Sequence, residues 1–234
     1  MTIVIAATLA SYVLGWLIGL PWLVPFLNAA WPWWTMAREL RAGRTRQAII
    51  VMLVWAATMG VVSTAMAGLG WSRTRDGGDL FLRSSYRDEM IAWVRTGVGP
   101  ESMPSVFVPR HLAYAAVFCA ASVATAGTLS MPMGAVLMNQ MGEYVGAMAA
   151  QSASPVSSVI LGWHPWAITR VVGFVMIGVV LSGVLLSRLM KFPFSVGAER
   201  RWIAIGARLL VVDLMMKWLL APEWGRALKE LAGW

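Results

Sequence analysis

Apolar blocks long enough to cross a lipid bilayer dominate this chain, and they restrict its fold more than any motif does. Crossing about 30 Å of hydrocarbon takes a helix of roughly 20 apolar residues, because only a helix or a closed barrel satisfies every backbone amide without water. Such blocks are read at about residues 3–24, 48–69, 111–129, 133–150, 167–187 and 202–220, with an extramembrane loop at 71–110. Hydrophobic residues make up 59% of the chain and charged residues 13%, too few charges to clothe a soluble surface. The expectation is therefore an all-α, polytopic integral membrane helix bundle, a single domain over 1–234 with about six transmembrane helices.

Charge placement orients these spans. The formal net charge is +8, but the basic residues stand at block ends rather than in a stripe interleaved with aromatics, so no nucleic-acid partner is expected. Arg38, Arg41, Arg44 and Arg46 against Glu39 give one cluster of net +3, and Arg188, Lys191, Arg200 and Arg201 against Glu199 give another. By the positive-inside rule the segments 36–46 and 188–201 are both cytoplasmic, in a cell (inner or plasma) membrane. Two clusters on one side require an even number of crossings between them. This favours two joined helices over 111–150, broken near Ser130-Met131-Pro132, with a re-entrant hairpin as the alternative. Six spans then leave both termini on the outer side.

Three prolines between Pro21 and Pro32 predict an interfacial elbow, with Trp22, Trp31, Trp33 and Trp34 at head-group level; Trp163 and His164 occupy a second interfacial turn. In the loop, Leu82, Tyr86, Met90 and Trp93 follow a helical repeat, predicting one interfacial amphipathic helix whose apolar face rests on the membrane or on the bundle. Beyond the last span a short amphipathic tail is expected. Met1 starts a block with no basic leader or obvious cleavage site, so the first span is read as retained.

Within the spans, small residues recur every fourth position: Ser11, Gly15, Gly19; Ala56, Gly60, Thr64, Gly68; Gly142, Gly146, Ala150. Lipid gives helices no hydrophobic reason to associate, so close approach over small residues is how they pack. Asn139, Gln140 and Glu143 lie within about one turn, Arg170 opens the next span, and Asp213 and Lys217 are spaced for an ion pair on one helical face. Ionisable groups at membrane depth are expensive and mark either internal pairing or function. Glu143 is expected to accept interhelical hydrogen bonds or to pair with Arg170, and Asp213 with Lys217; an ion or proton pathway is the alternative.

The lone Cys119 rules out an internal disulfide, and only His111 and His164 are available as imidazoles, so no metal or cofactor is expected. The sequence has no nucleophile elbow, no phosphate loop and no His-Glu-x-x-His, so no enzyme is expected.

The stretches GAVLMNQMGEYVG (Gly134 to Gly146), GWHPWAITRVVGFVMIGVVLSG (Gly162 to Gly183) and LLVVDLMMKWLLAP (Leu209 to Pro222) give residues 111–222 an order of features that resembles the stage II sporulation protein M family. The turn departs from that pattern in reading His164-Pro165, and in having no acid near Arg170. The resemblance implies a non-enzymatic multi-span protein working with membrane or cell-envelope partners. The functional expectation is a structural or assembly subunit of a larger membrane complex, in contact with lipid and with other integral membrane proteins; the alternative is a small transporter or permease component.

Overall fold

The computed structural model describes residues 1–70 and 83–234, without the side chains of residues 16, 21, 83 and 84. Every regular element among the described residues is helical. The helices are α1 (Thr2–Ile18), α2 (Val24–Arg41), α3 (Thr45–Gly68), α4 (Arg83–Thr96), α5 (Pro104–Ala124), α6 (Ser130–Ala149), α7 (Pro155–Gly162), α8 (Pro165–Met190) and α9 (Val196–Ala232). Three of them, α3, α5 and α8, are long and apolar enough to cross a membrane; α1 is apolar but shorter. The other expected spans have a different character. Helix α6 is enclosed by protein along most of its length, and α9 carries charged residues through its middle.

The proline-rich stretch is not an elbow. Gly19 ends α1 in the left-handed region at φ 72°, a 3₁₀ turn follows at Pro21–Leu23, and α2 then runs unbroken to Arg41. Pro25 sits in the first turn of α2, where no amide partner is lost, and Pro32 is accommodated inside the helix. The small residues of α1 permit a tight hairpin: a Cβ at Gly15 would overlap the Val24 side chain, and Ser11 donates to Asn28 Oδ1.

The small-residue stripes of α3 and α6 meet each other. A Cβ at Gly142 would overlap Ser63, and one at Gly146 would meet Ala67 at 2.6 Å and the backbone of Gly68 at 2.7 Å. A second close crossing joins α8 to α9, where Gly173 and Gly206 face one another; a Cβ on either would come within 2.9 Å of the other's carbonyl. These seams bring backbones together so that dispersion and weak polar contacts act over the full length of the helices.

The contacts also fix direction. Ser63 opposite Gly142 and Ala67 opposite Gly146 make α3 and α6 parallel, whereas Gly127 against Ser182 makes α8 antiparallel to α6. The α2–α3 turn and the α8–α9 turn therefore lie at one end of the bundle, which places both basic clusters together. Because α2 brings the chain back after α1, the amino terminus lies at this end as well, near enough to Glu39 for its charge to act there. This overturns the expectation of both termini at the opposite end; the carboxy terminus of α9 alone lies there. Helix α9 passes through Pro222 without a break, so the expected last span and tail are one helix of 37 residues, about 55 Å long.

The expected joint within 111–150 falls at 125–129, where Ala126 and Gly127 take positive φ and Trp33 Nε1 donates to the Ala126 carbonyl at 2.7 Å. Helix α5 starts earlier than expected, at Pro104, and leans mainly on α8. The amphipathic helix forms as α4 and lays Met90 and Trp93 against α6 and α9, on the bundle. Leu82 and the first part of that loop, 71–82, lie outside the described residues.

Candidate functional site

The polar residues that the sequence places within expected spans pair differently from their sequence spacing. Arg170, one and a half turns into α8, reaches across to α9, where Nε and Nη2 donate to the two carboxylate oxygens of Asp213, each at 2.9 Å. This fork-to-fork geometry is the strongest ion pair available to a guanidinium. Lys217, one turn further along α9, points past Asp213 to the α4–α5 loop, and its Nζ donates to Glu101 Oε1 at 2.6 Å. Arg170 is thus the partner of Asp213 rather than of Glu143, and Glu101 is the partner of Lys217.

The two pairs are embedded in aromatic rings. Lys217 Nζ lies 4.7 Å over the Phe107 ring, and Trp166 Nε1 donates to the second Glu101 oxygen at 3.3 Å. His164 caps α8, stacked on Trp166 at 4.6 Å between ring centres, with Trp93 edge-on at 5.5 Å and Tyr144 at 5.8 Å. It is fully enclosed, not interfacial. Burial lowers its pKa to about 3, so the ring is neutral at ordinary pH. For Glu101, burial works to raise the pKa, but Lys217 and then Arg170 outweigh it and hold the carboxyl down at about 2. His111 Nδ1 lies 2.7 Å from the Phe107 carbonyl, which can only accept, so Nδ1 carries the proton; Nε2 then faces Asp213 at 3.6 Å.

Asn139 and Glu143 stand one turn apart on α6 and engage different helices. Tyr12 of α1 donates to Asn139 Oδ1 at 3.0 Å, while Arg87 of α4 lies 3.5 Å from Glu143. Gln140, beside them, faces a cavity. Among the expected interfacial residues, Trp22, Trp31 and Trp34 are largely exposed, whereas Trp33 is held by its bond to Ala126 and Trp163 donates to Thr64 Oγ1 at 3.2 Å.

The cavity, of about 140 Å³, lies between α2, α3, α5, α6 and α8 next to the Arg170–Asp213 pair. Its walls are mostly apolar: methionines Met36, Met52, Met59, Met131, Met138 and Met141, with aromatic rings from Trp55, Tyr86, Tyr114, Phe118, Trp163 and Phe174. Sequence reading missed Glu101, placed in a loop by its neighbours' glycines and prolines, and it missed the cavity. Six of the chain's sixteen methionines converge there from three helices, a gathering that no periodicity along one helix reveals.

Comparison with protein-family models, with curated proteins and with solved structures gives no match for this chain. Among the described residues no three His, Cys, Asp or Glu side chains come together as a metal site.

Proposed function

We propose that this chain is a non-enzymatic integral membrane protein that serves as a structural or assembly subunit of a larger membrane complex. The observation that carries this reading is the way its deep ionisable groups are used: Arg170 binds Asp213 through two hydrogen bonds, and Lys217 binds Glu101 at 2.6 Å. Buried pairs of this kind fix which helices meet rather than carrying charge, since a relay needs a group that changes partner or protonation. The same pairs connect α8, α9 and the α4–α5 loop, while α1 turns a row of apolar side chains outward, including Leu9, Val13, Leu14 and Leu17. The resemblance to the stage II sporulation protein M family supports the same class of role.

We place the protein in the cell (inner or plasma) membrane with segments 36–46 and 188–201 in the cytoplasm. The position of both basic turns at one end of the bundle supports this, and it carries the amino terminus to the cytoplasmic side too. Extraction in a mild detergent followed by native mass spectrometry tests the subunit role. A stoichiometric second membrane protein is expected, and a strictly monomeric chain with no co-purifying protein would refute it.

A further inference from the structure

The methionine-lined cavity combines three properties that point to a small-molecule ligand. The first is size and shape. Its volume of about 140 Å³ is of the order of a cavity that accepts one six-membered ring. Its walls also extend along the helices from Ser130 and Ser182 to Met141 and Ala167, about 16 Å at 1.5 Å per residue on α6. A ring-sized head with an apolar tail fits such a space, and a bulky head group does not. The second is its lining. Thioethers and aromatic faces are polarizable and adapt to flat ligands, and pockets of this kind are commonly found between the helices of a bundle.

The third property is polar and more specific. Trp55 and Tyr114 both line the cavity, and neither Trp55 Nε1 nor Tyr114 Oη meets a hydrogen-bond partner among the described residues. Trp55 is 3% exposed, so water does not compensate its N–H. A buried donor left unsatisfied costs on the order of 1–3 kcal/mol, and native structures tolerate few of them. The two residues stand at neighbouring levels of the bundle, Trp55 on α3 and Tyr114 on α5. The guanidinium of Arg170, which also borders the cavity, is already engaged by Asp213, so the lining residues that keep an unpartnered donor, Trp55 and Tyr114, are both uncharged.

We infer that this cavity is a binding site for an uncharged, apolar membrane molecule that presents carbonyl oxygens, held by hydrogen bonds from Trp55 Nε1 and Tyr114 Oη. Two sources carry that chemistry: the ring carbonyls of a quinone and the ester carbonyls of a neutral lipid. Aromatic walls favour a flat ring, and the long axis accommodates the tail of either. The site stands apart from the subunit role: a ligand found here leaves open which protein the chain assembles with, and a missing protein partner leaves the cavity chemistry intact.

The test uses the full chain in nanodiscs of defined phosphatidylcholine, titrated separately with a short-tailed benzoquinone and with a short-chain diacylglycerol, and read by native mass spectrometry and by the shift in thermal midpoint. Saturable one-to-one binding of at least one probe is expected, with the responding probe identifying the source. Tyr114→Phe and Trp55→Phe each remove one donor, and each should weaken binding about five- to tenfold, the worth of one hydrogen bond. Because Tyr114→Phe deletes only an unpartnered oxygen, its thermal midpoint without probe should stay at or above that of the unmodified chain, which separates lost binding from lost folding. Should Trp55→Phe fold poorly, Tyr114→Phe alone decides. Failure of both probes to bind saturably, or binding to Tyr114→Phe with unchanged affinity, overturns the assignment.

Discussion

Replacing Asp213 by Asn removes a charge and keeps the shape, and it isolates the energetics of the buried pair. Asp213 is 1% exposed and accepts both of its hydrogen bonds from Arg170, so an amide there retains at best one acceptor for the guanidinium and contributes no charge. Leaving one partner of a buried ion pair uncompensated costs about 3–5 kcal/mol. The lower half of that range applies here, because the Arg170 side chain keeps about 20% of its surface accessible. Removing both partners is a different experiment. Arg170→Met with Asp213→Leu fills the same space with apolar atoms and eliminates both desolvation penalties, so the double variant should fall within about 1 kcal/mol of the unmodified chain. Reversible unfolding in bicelles, followed by the fluorescence of the buried tryptophans, measures both. Native mass spectrometry on the double variant adds the functional arm, since a structural pair can be exchanged for packing without loss of assembly. A cost below about 1 kcal/mol for Asp213→Asn, or a double variant as unstable as the single one, would refute the reasoning.

Gly146→Leu should cost more than the 1–3 kcal/mol typical of overpacking, because the added side chain meets the Thr64 carbonyl and the Gly68 backbone rather than a movable side chain; unfolding in bicelles would show it, and a neutral result would rule out the α3–α6 seam. Acid should destabilise the fold in two steps. His164, lowered from 6.5 to about 3, binds a proton more readily when unfolded, so stability declines as pH falls below 6.5; Glu101, lowered from 4.5 to about 2, adds its loss below 4.5. His164→Phe should lessen, without abolishing, the upper part of that decline, between pH 6.5 and 4.5, and an unaltered pH profile would contradict the enclosed imidazole. In a Cys119→Ala background, single cysteines at Thr2, Ala42 and Gly197 should resist an impermeant thiol reagent applied to intact cells while one at Gly233 reacts; opposite behaviour of Ala42 and Gly197 would break the proposed orientation.

What could be read from the sequence was what depends on local spacing. The stripes Ala56, Gly60, Thr64, Gly68 and Gly142, Gly146 announce close helix contact because a four-residue repeat places them on one face, and the structure joins these two stripes to each other. The helical repeat of Tyr86, Met90 and Trp93 likewise yields α4. Partner choice was not legible. Asp213 and Lys217 are spaced for a pair, but their side chains diverge because each has a better acceptor or donor on another element, 43 residues away for Asp213 and 116 for Lys217. Prolines misled the reading of 21–32, since Pro25 in a first turn costs a helix nothing and Pro32 is absorbed. That one helix reverses the direction of everything before it. Six crossings were expected, and three helices meet the length and composition of a span by themselves; α6 is too polar and α9 too charged to be judged apart from the neighbours that cover them.

The pairing of α9 with elements made before it bears on how such a chain enters a membrane during synthesis. When Asp213 and Lys217 leave the ribosome, Arg170 and Glu101 have already been translated, so the last helix arrives where its counter-charges wait. Arg170 and Glu101 have no such advantage, and until α9 docks each lacks the group that neutralises it in the folded protein. A chain cut short before Asp213 would therefore leave both charges without the α9 partners that neutralise them in the folded protein. Completion of α9 is the step that neutralises both at once.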